Sequence, residues 1–211
     1  MLLASAAQAQ SLLRDTSHFQ WGALPLFLLV LYIYNEQIVE RRWSVVLGGV
    51  AFWLMDWVNE IGNGLIAHFS GYAPLWGTPN GHSSLVLLIG LNLEITLMFA
   101  VMGLMAVRML PAQRGMRLFG VSNRLLLALG NSLLCVIVEI WLNHIGVLTW
   151  EWSIWGRHAP WLIFLIGYLP FFGVAYWVHD MPSRAKQVTV VGCLAGGVAL
   201  SLLLFGGLGW L

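Results

Sequence analysis

The chain has 211 residues, of which 59% are hydrophobic and 9% are charged, and its formal net charge is only +1. Since about 25% of the residues of a soluble domain are charged, this composition excludes a soluble globular protein and predicts an integral membrane protein. A metal site built from cysteines is also excluded, because Cys135 and Cys193 both fall in predicted spans and form no CxxC motif.

Residues 1–20 are predicted to form an interfacial N-terminal segment, since they combine a short apolar start with the polar run 14–18 and lack the basic start of a signal peptide. Residues 21–211 are predicted to form a single all-α domain, a polytopic transmembrane helical bundle of about six spans. Each span is near the roughly 20 residues that cross ~30 Å of hydrocarbon. The predicted spans are residues 21–39, 43–69, 85–110, 125–149, 161–178 and 188–211.

A loop over residues 70–83 separates the second and third predicted spans. Its sequence at 78–81, Thr-Pro-Asn-Gly, is typical of a turn. Either Ser83 or Ser84 is predicted to cap the helix that follows.

The basic residues predict the orientation of the bundle. Eight of them lie on the connectors after spans one, three and five, and two lie on the opposite side. The eight are Arg41, Arg42, Arg108, Arg114, Arg117, Arg124, Arg184 and Lys186, and the two are Arg14 and Arg157. By the positive-inside rule, both termini are expected outside the cytoplasm. We expect a multi-pass protein of a bacterial inner membrane.

The second predicted span contains acidic and amide side chains that a helix needs neither to cross a membrane nor to pack. Asp56, Glu60 and Asn63 are spaced to share one helical face, with Asn59 beside them. Each ionisable group at membrane depth costs about 2.5 to 3.5 kcal/mol on insertion scales. Acids in such a position therefore indicate a functional site.

Two further predicted spans contribute glutamates at a similar depth. Glu60, Glu94 and Glu139 each lie about nine to ten residues from the outer ends of their spans, which corresponds to a depth of roughly 15 Å. Asp56 lies one turn deeper. We therefore expect the four acids to converge on one chamber that opens toward the non-cytoplasmic leaflet.

No Lys or Arg lies in the middle of a predicted span, so the acids lack a cationic side-chain partner there. Protonation, capture of a cation, or exposure to a water-filled cleft would each resolve their charge. Amides that both donate and accept hydrogen bonds accompany them: Asn59, Asn63, Asn92, Asn131 and Asn143. The alternative is that these polar groups only join helices through hydrogen bonds.

Tryptophans surround the predicted site. Trp53 and Trp57 lie one turn apart beside Asp56, and an outer set, Trp76, Trp150, Trp152, Trp155 and Trp161, flanks the mouth of the acid-bearing helices. They are expected to line a site for an apolar ligand. Simple anchoring at the membrane interface is the alternative.

Metal and nucleotide sites are not predicted. Glu60, Glu94, Glu139 and His144 would be the candidate metal ligands, but the Glu-x-x-His spacing of di-iron bundles is absent. The chain also contains neither GxxxxGK[ST] nor GxGxxG. We therefore predict no metal, no cofactor and no nucleic-acid partner.

Two groups of small membrane enzymes share part of this pattern. The order Asp56-x-x-x-Glu60, then 92–96 (Asn-Leu-Glu-Ile-Thr), then Glu139 resembles the emopamil-binding family of sterol isomerases, although Asp56 stands where that family has histidine. Residues 34–42, the second span and the motif 56–60 (Asp-Trp-Val-Asn-Glu) are similar to the membrane-bound meroterpenoid cyclases, in which Asn usually precedes Trp-Glu. Either resemblance implies proton-initiated chemistry on an apolar isoprenoid or sterol.

The leading hypothesis is an intramembrane acid–base enzyme, namely an isomerase, cyclase or hydratase that acts on an apolar lipid or isoprenoid. A homodimer is one assembly considered for it. The expected catalytic residues are Asp56, Glu60, Glu94 and Glu139. The expected substrate-binding residues are Trp53, Trp57, Asn59, Asn63, Asn92, Asn143, Trp76, Trp150 and Trp155. A proton- or cation-coupled transporter and a membrane subunit of a larger complex are the alternatives.

Overall fold

A computed structural model describes residues 3–17, 19–78 and 83–211. The turn predicted at 78–81 lies, apart from Thr78, outside the described residues. The helices have these bounds: α1 Ala4–Ser11, α2 Ala23–Val39, α3 Trp43–Ser70, α4 Leu93–Arg108, α5 Asn123–His144, α6 Pro160–Leu162, α7 Leu169–His179 and α8 Arg184–Gly207. A π-helical segment, Ile163–Tyr168, joins α6 to α7. Two antiparallel hairpins complete the fold, β1 Val86–Leu88 with β2 Leu91–Asn92, and β3 Arg117–Leu118 with β4 Val121–Ser122.

The expectation of a transmembrane helical architecture is confirmed. Four helices of the described chain are long and apolar enough to cross a membrane: Trp43–Ser70, Asn123–His144, Pro160–His179 and Arg184–Gly207. The third of these is the continuous unit formed by α6, the π-helical segment and α7. Helices α2 and α4 are shorter, with 17 and 16 residues.

The third predicted span is wrong in its first eight residues. Residues 85–92 contain the β1–β2 hairpin, and α4 begins only at Leu93. A short apolar run fits a strand as well as a helix, and here Asn92 decides the boundary because its side chain accepts a hydrogen bond from the Ile95 amide at 2.8 Å. The predicted cap at Ser83 or Ser84 is therefore wrong, because Asn92 is the N-cap residue. Glu94 consequently lies in the first turn of α4 and not at mid-helix.

Three other boundaries differ from the prediction. Helix α5 stops at His144, and Gly146 follows in a left-handed turn with a φ of +78°. Helix α8 starts at Arg184, where the Ser183 side chain accepts from the Lys186 amide at 3.3 Å. It ends at Gly207, so the last residues of the sixth predicted span are not helical.

Helix α3 is the centre of the bundle and packs against α4, α7 and α8. Glycines allow its crossing with α4 to be close. A Cβ atom on Gly103 would lie 2.7 Å from the Cβ of Phe52 and 2.8 Å from the carbonyl oxygen of Gly49. The ring of Phe52 then packs edge-on against Phe171 and Phe172, which couples α3 to α7.

The two ends of the bundle differ in charge. At one end Asp180 pairs with Arg124 at 2.9 Å and with Arg114 at 3.3 Å, and Arg108 pairs with Glu36 at 3.3 Å. We call this the basic end, because the eight clustered basic residues of the sequence lie on its connectors and helix termini.

The opposite end holds the N-terminal segment, the long loops and the C-terminal residue. The Leu3 amide donates to the Tyr72 carbonyl at 3.0 Å, and the Arg14 guanidinium donates to the Leu211 backbone oxygen at 2.5 Å. Gly77 and Thr149 form a bridge between two of the loops. We call this the loop end.

Candidate functional site

A cavity of about 320 Å³ lies near the loop end, between α3, α4, α5 and the helix 160–179. Its walls are mostly apolar, with Met98, Phe99, Met102 and Phe171 among them. Carboxylates are the exception. Asp56, Glu60 and Glu139 all line this cavity.

Helix geometry explains why α3 contributes two acids to one wall. Asp56 and Glu60 are four residues apart and Asn59 lies between them, so all three face the cavity. Glu139 comes from α5 on another side. Glu60 is close enough to Asp56 and to Glu139 for their charges to interact. The predicted convergence of the acids is therefore found for these three.

The three carboxyl groups are almost completely buried. Asp56 and Glu60 are each 3% exposed and Glu139 is 8% exposed. In each of them one buried oxygen has no hydrogen-bond partner: Oδ2 of Asp56, Oε2 of Glu60 and Oε2 of Glu139. No Lys or Arg is among the described residues that line the cavity. Burying such atoms without partners costs free energy unless something occupies the site.

A loop residue holds Glu60. The indole Nε1 of Trp76 donates to Glu60 Oε1 at 2.8 Å. Asn63 in turn holds the loop, because its Oδ1 accepts from the Leu75 amide at 2.7 Å and its Nδ2 donates to the Trp76 carbonyl at 2.8 Å. Asn63 therefore positions Trp76 and does not line the cavity.

The tip of the β1–β2 hairpin covers the same carboxylate. A Cβ atom on Gly90 would lie 2.7 Å from Glu60 Oε2, 2.6 Å from Trp76 Nε1 and 2.6 Å from Asn63 Nδ2. Only a residue without a side chain fits there. The close approach of the Gly90 backbone closes the site on the loop side.

The π-helical segment forms the wall beside Glu139. Ile163, Gly167 and Tyr168 line the cavity, and the Tyr168 side chain is close enough to Glu139 for the two groups to interact electrostatically. π-Helical turns are rare and occur frequently at functional sites. The Asn59 side chain contacts this segment as well, donating to the Gly167 carbonyl at 3.3 Å.

Two tryptophans complete the loop side of the cavity. Trp76 and Trp155 both line it, and their rings are stacked with centroids 5.4 Å apart. The indole Nε1 of Trp155 is buried and has no acceptor. Trp150 donates to Glu139 Oε1 at 3.4 Å from outside the lining.

Several predicted site residues lie away from the cavity. Those that do not line it are Glu94, Trp53, Trp57, Asn63, Asn92, Asn143 and Trp150. Glu94 instead binds the loop, because its Oε1 accepts from the Ser84 amide at 2.7 Å and the Ser84 hydroxyl at 2.6 Å. The prediction that all four acids share one chamber is therefore wrong for Glu94.

Most of the other displaced polar residues have structural partners, whereas Trp57 Nε1 and the second carboxylate oxygen of Glu94, Oε2, are buried without one. Trp53 Nε1 donates to the Thr96 hydroxyl at 2.8 Å, which joins α3 to α4. Asn143 donates to the Leu148 carbonyl at 2.9 Å and thereby holds the chain after α5. Asn92 caps α4.

Tyr168 and Gly90 were not predicted as site residues. Tyr168 could have been predicted, since it lies in the apolar fifth predicted span and a buried hydroxyl needs a polar partner. The position of Gly90 depends on the β1–β2 hairpin, which cannot be distinguished from a helix in this apolar stretch of the sequence. Among the described residues, no three His, Cys, Asp or Glu side chains are arranged to hold a metal ion.

Comparison with known sequences places the chain in a family. The model of a family described as an uncharacterized membrane protein family matches residues 3–207. The chain belongs to this family.

Relatives of this family member come from an archaeon. A protein of Archaeoglobus fulgidus described as "uncharacterized protein" is 48% identical over 204 residues, which cover 97% of this chain and 96% of the relative. A shorter protein of the same organism, with the same description, is 55% identical over 53 residues, which are 25% of this chain and 95% of its own length. No solved structure matches the chain significantly. Family membership and the apolar helices together show an integral membrane protein.

Proposed function

We propose that this membrane protein is an acid–base enzyme that acts on an apolar lipid or isoprenoid inside the bilayer. One observation carries the proposal: three buried carboxyl groups, each with an unpartnered oxygen, line an otherwise apolar cavity. Helix joining alone would leave such groups paired with one another or with neighbouring helices. An apolar ligand with a reactive centre near the carboxyl groups fits the composition of the walls.

The proposed chemistry is a proton transfer between two carboxyl groups and a carbon skeleton. A protonated Glu60 delivers its proton to an alkene carbon, which leaves a carbocation on the ligand and a carboxylate on Glu60. Glu139 removes a proton from an adjacent carbon, and the double bond re-forms in a new position. Transfer of that proton back to Glu60 through the cavity restores the starting state, so no external reactant is consumed.

The other cavity residues assist these two. Asp56 interacts with the charge of Glu60 and biases which carboxyl group holds the proton. The Tyr168 side chain lies beside Glu139 in the cavity wall and interacts with its charge. The aromatic faces of Trp76 and Trp155 stabilise positive charge on the ligand. Glu94 has no part in the chemistry, because it does not line the cavity.

The membrane arrangement in this proposal has six crossings. Helices α2 and α4 cross together with the four longer helices, with the basic end in the cytoplasm and both termini outside. The cavity then lies in the non-cytoplasmic half of the bilayer. A bacterial inner membrane stays a prediction, and the two relatives come from an archaeon.

Identifying the native ligand and comparing three glutamate variants tests this function. The protein is purified in lipid nanodiscs, its bound lipids are identified by mass spectrometry, and their conversion is measured. Loss of a general acid or base lowers turnover by about a hundredfold or more, so we expect that loss for Glu60→Gln and Glu139→Gln. Glu94→Gln is the matched control, a half-buried glutamate outside the cavity that should keep its turnover. Full turnover of both cavity variants, or a proton flux across the membrane without lipid conversion, would overturn the proposal.

A further inference from the structure

The cavity has a mouth on the outer surface of the bundle. Met98, Leu134 and Val138 line the cavity and are also 45%, 60% and 44% exposed. Residues that face both the cavity and the outside lie at its opening. Met98 belongs to α4 and the other two belong to α5, so the opening lies between these helices.

The packing of the two helices leaves this opening. Helices α4 and α5 both pack against α7 but contact each other only slightly. One of their contacts, between the sulfur atoms of Cys135 and Met102 at 3.6 Å, involves residues of the cavity wall.

The depth of the mouth places it beside lipid chains. Leu134 and Val138 lie roughly 15 and 9 Å from the loop end of α5, at 1.5 Å per residue. In the proposed orientation these positions are inside the hydrocarbon layer, which is ~30 Å thick. The opening therefore leads into the bilayer.

The inner end of the cavity specifies what polar group a ligand must carry. The unpartnered oxygens of Asp56, Glu60 and Glu139 require a donor or a shared proton, and Trp155 Nε1 requires an acceptor. A hydroxyl group provides both a donor and an acceptor. Carboxylate and phosphate groups would instead be repelled by the three acids, and a pure hydrocarbon would leave every one of these atoms unpaired.

We propose that the cavity admits a single-chain lipid alcohol from the bilayer through the gap between α4 and α5, with the hydroxyl group at the buried carboxyl groups and the apolar chain in the mouth. This rests on the proposed function for its reactive site, but it makes a separate statement about route and ligand class. Val138 and Met98 then determine how wide a chain can pass.

Photo-crosslinking in nanodiscs tests the route and the ligand class together. The probe is a hexadecanol with a diazirine on its chain, and the comparison probe is hexadecanoic acid with the same diazirine. We expect the alcohol to label peptides from α4 and α5 that line the mouth, and the acid to label them much less. Val138→Trp should reduce labelling by the alcohol about fivefold or more, which is a moderate affinity change.

The neighbouring residue supplies a matched control. Ile137 is 55% exposed on the same helix but does not line the cavity, so Ile137→Trp should leave labelling unchanged. Leu134→Trp is a second mouth variant, used if Val138→Trp fails to fold by gel filtration and circular dichroism. Equal labelling of the Trp variants at 137 and at the mouth, or equal labelling by the acid and the alcohol, overturns the proposal.

The result of the crosslinking experiment can be distinguished from the result of the turnover measurements on the glutamate variants. Selective labelling that Val138→Trp abolishes supports the route even when Glu60→Gln keeps its turnover, a result that would overturn only the enzymatic function. Loss of turnover in Glu60→Gln with labelling unaffected by either mouth variant overturns the route and leaves the function standing.

Discussion

At the scale of single residues, Glu60 is held by groups that lie outside its own helix. Trp76 donates to one of its oxygens, and the backbone of Gly90 closes against the other. The first contact depends on Asn63, which accepts from the Leu75 amide and donates to the Trp76 carbonyl. The geometry of the acid site is therefore set by the loop end as much as by α3.

Gly90→Ala tests this dependence. Its added methyl group would lie 2.7 Å from Glu60 Oε2 and 2.6 Å from Trp76 Nε1, so these side chains or the hairpin must shift and the contacts that hold Glu60 are disturbed. Overpacking of this kind costs about 1 to 3 kcal/mol, and we expect a lower thermal unfolding temperature in nanodiscs together with loss of bound lipid.

The matched control for that variant is Gly62→Ala on α3. No heavy atom lies within 4 Å of a Cβ at Gly62, and replacing a helical glycine stabilises by about 0.5 to 1 kcal/mol. It should raise the unfolding temperature and keep the lipid. If Gly90→Ala behaves like this control, the hairpin does not close the site.

The residues of α3 could be predicted from the sequence because a helical period places them. Asp56, Asn59 and Glu60 share a face at spacings that any α-helix enforces, and all three line the cavity. Trp76 and Trp155 were predicted from their positions beside the outer ends of the acid-bearing helices, and of that outer set of five tryptophans only these two line the cavity. Trp53 and Trp57 lie near Asp56 in sequence but do not line the cavity, and Trp53 instead donates to Thr96. The helical period alone does not show that these two side chains lie outside the cavity.

At the scale of elements, the π-helical segment is the wall that sequence patterns could not predict. An apolar run shows that a helix is present and does not show its hydrogen-bond register. The segment Ile163–Tyr168 places Tyr168 beside Glu139 and offers the Gly167 carbonyl to Asn59. π-Helical turns inside helices are frequent at functional sites, and this one lies in the wall of the cavity.

Deletion of Leu165 tests the role of the segment. A π-turn contains one residue more than the α-helix it interrupts, so removing this 49% exposed leucine should restore a regular helix while leaving its flanks in place. We expect the variant to fold with an unfolding temperature close to that of the unaltered protein, and to lose its bound lipid because the wall beside Glu139 has changed.

Leu165→Ala provides the comparison, since it removes the side chain and keeps the residue count. It should retain the lipid. Retention of lipid by the deletion variant as well would show that the π-helical register is not needed by the site.

The β1–β2 hairpin is the other element that the sequence analysis predicted wrongly, as part of a helix. Residues 85–91 are apolar and could extend α4, but Asn92 stops the helix by capping it and Glu94 fixes the preceding loop through Ser84. The depth assigned to Glu94 was wrong for this reason. The same counting holds for Glu60, which lies ten residues before the end of α3 at Ser70, but not for Glu139, which lies only five residues before the end of α5 at His144.

At the scale of the whole molecule, charge separates the two ends. The basic end carries eight of the ten Lys and Arg residues, and the acid cavity lies near the opposite end. By the positive-inside rule, the proposed orientation has the basic end in the cytoplasm. In that orientation the cavity lies in the outer half of the membrane.

Cysteine labelling tests this orientation. In a background with Cys135→Ala and Cys193→Ala, single cysteines are placed by Ser153→Cys at the loop end and by Met116→Cys at the basic end, both of which are exposed. A membrane-impermeant maleimide should label the first in intact cells and the second only after permeabilisation. The reverse pattern would put the cavity in the cytoplasmic half, and labelling of both positions from outside would contradict six crossings.

The central claim is that buried carboxyl groups deliver protons to the carbon atoms of a lipid. Incubation of the nanodisc protein with its native lipid in heavy water tests this directly, because a proton delivered from a solvent-equilibrated carboxyl group leaves a carbon-bound deuterium that mass spectrometry detects. We expect deuterium on carbon with the unaltered protein and with Glu94→Gln, and none with Glu60→Gln or Glu139→Gln. A bound lipid that gains no carbon-bound deuterium from the unaltered protein would contradict it.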